Sequence, residues 1–135
     1  MERKEIVIDG SAFSDAAGFF ETARRALTTP ENDVSCRNLS AFADLLRGGF
    51  GVFAYGDPIT IRLTHAKAAR AALGHAAAAA YWEEAARRCH PSHRAHLAAR
   101  AEAAARGQGD TFFETVLAIL LDRENADCAV IFEEE

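Results

Sequence analysis

The chain has 135 residues, half of them hydrophobic, and a net charge of -5. That length suits one hydrophobic core and leaves no room for a second full domain, so residues 1–135 are expected to form a single unit. The acidic balance argues against direct nucleic-acid binding, which needs a basic footprint, and no apolar run approaches the roughly 20 residues of a membrane helix.

In chain order, Met1-Glu2-Arg3-Lys4-Glu5 leads straight into Glu5-Ile6-Val7-Ile8-Asp9, a β-branched run closed by Gly10 that reads as a strand rather than a secretory segment. A helix opens near Ser14-Asp15 and runs through Phe19, Phe20, Ala23 and Leu27, with Pro30 closing the region. A shorter helix spans about Leu39 to Leu46, capped by Asn38 and stopped by Gly48-Gly49. Pro58-Ile59-Thr60-Ile61-Arg62-Leu63 alternates apolar and polar residues as a second strand does.

Residues 65–108 then differ from everything around them. They are nearly half alanine, contain no β-branched residue, and carry seven Lys or Arg against three Glu; the other 91 residues carry eight basic side chains against seventeen acidic ones. This composition predicts an inserted helical hairpin, about 75–89 and 93–106, interrupted at Pro91-Ser92, with Tyr81, Trp82 and Leu97 as docking points. Asp110-Thr111 begins a last helix with Phe113, Val116, Leu117 and Leu120 on its apolar face, and Cys128-Ala129-Val130-Ile131-Phe132 is the third strand. Strands separated by helices need crossovers, so the expected fold is α/β: a three-stranded parallel sheet covered by helices.

Three widely spaced cysteines, Cys36, Cys89 and Cys128, do not form a disulfide framework and suit a reducing compartment, so a cytoplasmic location is expected. Cys89, His90, His93 and His96 offer close metal donors, but Pro91 breaks their continuity and no carboxylate stands nearby to orient a ligand, so no metal or other cofactor is expected. Gly48-Gly49-Phe50-Gly51 is not followed by the Gly-Lys-Ser/Thr of a phosphate loop and reads as a helix stop. Cys36 lacks the surroundings of a nucleophile, and Glu133 to Glu135 read as a solvated acidic tail.

Along the short central helix, with Leu39 as origin and about 100° per residue, Phe42, Ala43 and Leu46 fall toward the core while Ser40, Asp44 and Arg47 share the outer edge. The same arithmetic puts Asp122 opposite the apolar face of the last helix. By spacing alone these are ordinary solvated side chains, with Asp44 weakly paired to Arg47.

The element order, together with Asn38-Leu39-Ser40-Ala41-Phe42-Ala43-Asp44-Leu45-Leu46 and the stretches Glu114-Thr115-Val116-Leu117 and Asp127-Cys128-Ala129-Val130-Ile131, resembles the barstar family of intracellular inhibitors of bacterial secreted ribonucleases. Residues 1–64 and 109–135 approach the size of that family's minimal domain. The resemblance implies a noncatalytic protein that binds a basic ribonuclease one to one, pressing an acidic helix and the loop before it into the enzyme's active site. Asp44 matches the central inhibitory aspartate and Asp122 an acidic contact on the last helix; Asn38 and Leu39 would hold the loop, with Arg37, Ser40 and Asp122 on the rim. Where the family reads Tyr-Gly-x-Asn-Leu-Asp-Ala-Leu-Trp-Asp, this chain has Ser35-Cys36-Arg37 before Asn38, Ser40 in place of the first aspartate and Ala43 in place of the tryptophan. Those departures keep a second expectation open, a barstar-fold interaction module whose cationic protein partner is not a ribonuclease. Oligomeric state is left open.

Overall fold

The computed structural model describes residues 3–135; Met1 and Glu2, part of the expected lead into the first strand, lie outside them. Strands β1 (Lys4–Asp9), β2 (Ile59–Thr64) and β3 (Cys128–Phe132) form one parallel sheet in the order β1-β2-β3. The register aligns Ile6 with Ile61 and Val130, and Ile8 with Leu63 and Phe132. With a side-chain period of two, this puts Ile6, Ile8, Ile59, Ile61, Leu63 and Cys128 on one buried face.

All the helical packing is directed to that face. The opposite face carries Val7 and Ile131, 52% and 43% exposed, around Arg62, whose guanidinium pairs with Glu5 at 2.7 Å and Glu133 at 3.5 Å. The expected parallel sheet is therefore present, with its helical cover on one side only. Two long polar side chains across the strands keep the bare side solvated where a second helical layer would otherwise be needed.

Helix α1 (Ala16–Leu27) starts where the Asp15 carboxylate accepts from the Gly18 N–H at 2.8 Å, and it buries Phe19, Phe20, Ala23 and Leu27. Helix α2 (Leu39–Leu46) buries Phe42, Leu45 and Leu46. Helix α6 (Phe112–Leu120) opens with a reciprocal capping box between Thr111 and Glu114 and buries Phe112, Val116 and Leu120. Its inward face is turned from the expected one, since Phe113 and Leu117 are only half-buried. Phe19 and Phe42 meet edge to face at 5.2 Å, and Phe20 and Phe112 at 5.9 Å, so aromatic rings join the three helices above the sheet.

The alanine-rich segment forms three helices rather than two. A short α3 (Ala66–Ala72), not expected from the sequence, follows β2 directly; α4 (His75–Arg88) and α5 (Pro91–Ala105) make the antiparallel hairpin. Pro91 does not break a helix but occupies the first turn of α5, where its missing N–H costs nothing. Ala66, Ala69, Leu73, Ala78 and Ala104 join the same buried cluster as the sheet residues. Small side chains let the hairpin backbones approach closely, and Arg100 stacks on Trp82 at 3.9 Å across it. Among the described residues no helix is long and apolar enough to cross a membrane.

Phe42 is fully buried and joins α2 to α1. Phe42→Ala is expected to lower the unfolding free energy by about 3–5 kcal/mol, read by urea denaturation. A loss below about 1 kcal/mol would show that the ring is not a packing anchor.

Candidate functional site

Helix α2 has only eight residues, too few to hold together in water by itself. Its buried stripe fixes it to the core, and each of its ends is satisfied partly from outside. At the N-terminus the Asn38 side chain accepts from the Ala41 N–H at 2.7 Å, as its sequence position predicts. The Leu39 N–H, which has no intrahelical partner, donates to the Tyr81 hydroxyl of α4 at 3.0 Å.

At the C-terminus the last turn tightens: the Arg47 N–H donates to the Asp44 carbonyl and the Gly48 N–H to the Leu45 carbonyl, each three residues back. The Ala43 carbonyl then accepts from the side-chain amide of Asn125 at 2.9 Å. Gly48 follows at φ +87°, and a Cβ there would lie 2.5 Å from the Ala54 carbonyl oxygen, so glycine is required at this stop.

This frame displays the residues singled out in the sequence. Ser40, Asp44 and Arg47 are exposed on the outer edge of α2, as expected. The core face is Phe42, Leu45 and Leu46; Ala43 is only half-buried and contributes its backbone carbonyl to the Asn125 contact, which corrects its expected inward role. The expected face was rotated because Leu39, used as its origin, is itself only half-buried at the helix end beside Tyr81.

Asp122 is not on α6. The helix ends at Leu120 with Leu121 as its cap, and Asp122 opens the turn that follows, its carboxylate accepting from the Glu124 N–H at 3.0 Å. The turn is closed by Asn125 and Ala126 N–H groups donating to the Asp122 carbonyl. Asn125 then joins the turn to α2, because its side-chain oxygen also accepts from Arg47 Nε at 2.9 Å. Asp44 and Asp122 thus lie on two segments held together by one asparagine, which carries no local sequence signal of that role.

The ends of α2 and α6 both enter this region carbonyl-first. A helix C-terminus bears partial negative charge, so each of these aspartates stands near a pole of its own sign. The Asp44 side chain is 63% exposed, and its only ion pair among the described residues is Arg47 at a loose 3.4 Å. Such a pair is weak in solvent. The C-terminal end of α2 thereby presents the Asp44 carboxylate to solvent with only a weak internal partner, suited to a cation brought by another molecule.

At the other end of α2 the loop carries Arg37 together with the acidic Glu31 and Asp33. Arg37 is exposed just before the cap, while Cys36 is buried. Burial pushes the Cys36 thiol up to about 11, so it is protonated at neutral pH and a poor nucleophile. The groove beside it, between α1 and this loop, holds Glu21, whose carboxyl the hydrogen-bonded Arg24 guanidinium lowers to about 2. At the hairpin turn, His90 Nδ1 accepts from the Ser92 N–H and the Cys89 thiol faces the Ala86 carbonyl, so these two donors are engaged in capping contacts. Among the described residues no three metal-donor side chains converge.

Asn125→Ala removes the Ala43 and Arg47 contacts together. A loss of about 1–2 kcal/mol in urea unfolding is expected, with Asp122 amide resonances shifting more than those of β2. Unchanged stability and unchanged resonances would show that the asparagine does not tie the turn to α2.

The chain matches the family model described as Barstar (barnase inhibitor) over residues 3–113. The matched stretch contains α2 and the helical hairpin and stops before Asp122. Searches of curated proteins and of solved structures found no match to the chain. With most of its length matched, and with the three-stranded parallel sheet and the Asn38-capped helix in place, this protein belongs to the barstar family, that of the barnase inhibitor.

Proposed function

We propose that this protein inhibits a basic ribonuclease by binding one to one, with the outer edge of α2 covering the enzyme's active site. The observation that carries this reading is Asp44: a solvent-facing carboxylate on a helix locked by Phe42, Leu45 and Leu46, with only a loose internal counter-ion. A ribonuclease active site is built to hold phosphate, so its cationic groups supply the charge that Asp44 lacks. Complementary charge steers encounter and sets register, and desolvation at the contact strengthens the pairing.

Asp122 adds a second carboxylate from the neighbouring turn, and Asn125 fixes its segment relative to α2. Asn38 and Leu39 form the rigid start of the helix, with Arg37 and Ser40 beside them and Ala43 and Arg47 flanking Asp44. In this role the protein acts by occlusion and performs no chemistry.

A second reading, a barstar-fold module with a different cationic protein partner, draws on Arg37, Ser40 and Ala43. These positions lack the first aspartate and the tryptophan of the family pattern, and Arg37 needs an acidic group on the partner. A panel of basic ribonucleases, barnase among them, separates the two readings by direct titration and by inhibition of RNA cleavage.

For the bound ribonuclease, Asp44→Ala is expected to weaken affinity by about a hundredfold or more, because it strands a desolvated cation on the enzyme. The same substitution leaves stability unchanged or slightly higher, since it removes a negative charge from the last turn of α2. Calorimetric titration and urea unfolding check both halves. Equal affinity of the mutant and the natural protein would sink the role given to Asp44.

A further inference from the structure

The 65–108 segment has no part in the occlusion described above, yet one of its side chains reaches the binding helix. The Tyr81 ring, on α4, is packed 5.9 Å from Phe20 of α1 and 5.0 Å from Phe112 of α6, centroid to centroid. That fixes the ring from two sides and aims its hydroxyl at the start of α2, where the oxygen accepts from the Leu39 N–H at 3.0 Å. Desolvation raises the phenol's pKa, so at neutral pH the group is a neutral hydroxyl.

Leu39 is the first residue of an eight-residue helix, and its N–H is one of the donors that no helix satisfies internally. Asn38 satisfies a different one, the Ala41 N–H. The first turn of α2 therefore has two caps, one local and one supplied by the inserted hairpin. Arg37, Asn38, Leu39 and Ser40 lie on that turn or directly before it, and Asp44 follows only one turn beyond Ser40. A first turn that frays moves the contact strip away from a bound partner, and ordering it again on binding lowers affinity.

We infer that Tyr81 is a positioning residue for partner binding: through its hydrogen bond to the Leu39 N–H, the alanine-rich hairpin holds the first turn of α2 in its binding geometry. This rests on the proposed ribonuclease reading. The hairpin thereby sets the shape of the inhibitory surface. Its small alanine side chains serve the same end, because they let α4 approach closely enough for a tyrosine to bridge α1, α6 and α2.

Tyr81→Phe removes the hydroxyl and keeps the ring. With the full-length protein and a ribonuclease that the natural protein binds in the panel, affinity should fall roughly fivefold to tenfold, the scale of a lost helix cap. Amide exchange at Leu39 should accelerate while Phe112 and Ile61 amides keep their protection. In an Asn38→Ala background the loss from Tyr81→Phe should shrink, since both caps act on the same first turn. Should Tyr81→Phe fold poorly, the natural protein still decides the point: a Leu39 amide exchanging as fast as an exposed loop amide refutes the hydrogen bond.

Wild-type affinity of Tyr81→Phe beside a weakened Asp44→Ala would overturn the positioning role and leave the ribonuclease reading standing. Additive losses in the double mutant would overturn it as well. Binding of no panel ribonuclease by the natural protein would overturn both.

Discussion

Everything proposed for this protein depends on holding a helix that is too short to hold itself. Eight residues of α2 supply few internal hydrogen bonds, and helix nucleation is unfavourable. The core supplies what is missing: Phe42, Leu45 and Leu46 are buried where α2 packs on α1 and α6, and the two ends are closed by Tyr81 and Asn125 from distant parts of the chain. Because a bound partner need not order this helix, little affinity is lost to conformational entropy.

Placing all helices on one face of a three-stranded sheet has a further consequence. The C-terminal ends of α2 and α6 come close enough for Asn125, in the turn after α6, to bond both Ala43 and Arg47. Their carbonyl ends and the carboxylates of Asp44 and Asp122 share the sign of their charge, which is an arrangement a protein selected for stability alone would avoid. Arg47 relieves it incompletely, from 3.4 Å in open solvent. A carboxylate so weakly paired at a helix terminus is what the proposed binding role requires, and a cationic partner would relieve it.

What could be read from the sequence was local. Asn38 signals a cap within three residues of its acceptor's partner, the β-branched runs mark all three strands, and alanine richness marks the hairpin. What escaped depends on contacts between distant residues. Asn125 bonds Ala43 across 82 positions and Tyr81 bonds Leu39 across 42, and neither side chain differs in type from those of an ordinary turn or core. Asp122 was displaced because α6 ends at Leu120, and a difference of two residues moves a carboxylate from a helix face into a turn. The short α3 has no expected counterpart, since the two helices expected in the alanine-rich segment begin at about residue 75; its seven residues carry no side-chain cap to mark a start. Barstar membership is legible through the Asn38–Leu46 stretch, which lies within the matched residues 3–113.

The central claim is that the acidic edge of α2 occupies a ribonuclease active site, so the mode of inhibition tests it most directly. Steady-state RNA cleavage by a barnase-type enzyme should be followed across substrate concentrations at increasing amounts of this protein. Occlusion by α2 predicts competitive inhibition saturating at one equivalent, with an association rate that falls steeply as salt rises. Noncompetitive inhibition, or cleavage unaffected by an excess of the protein, would contradict it.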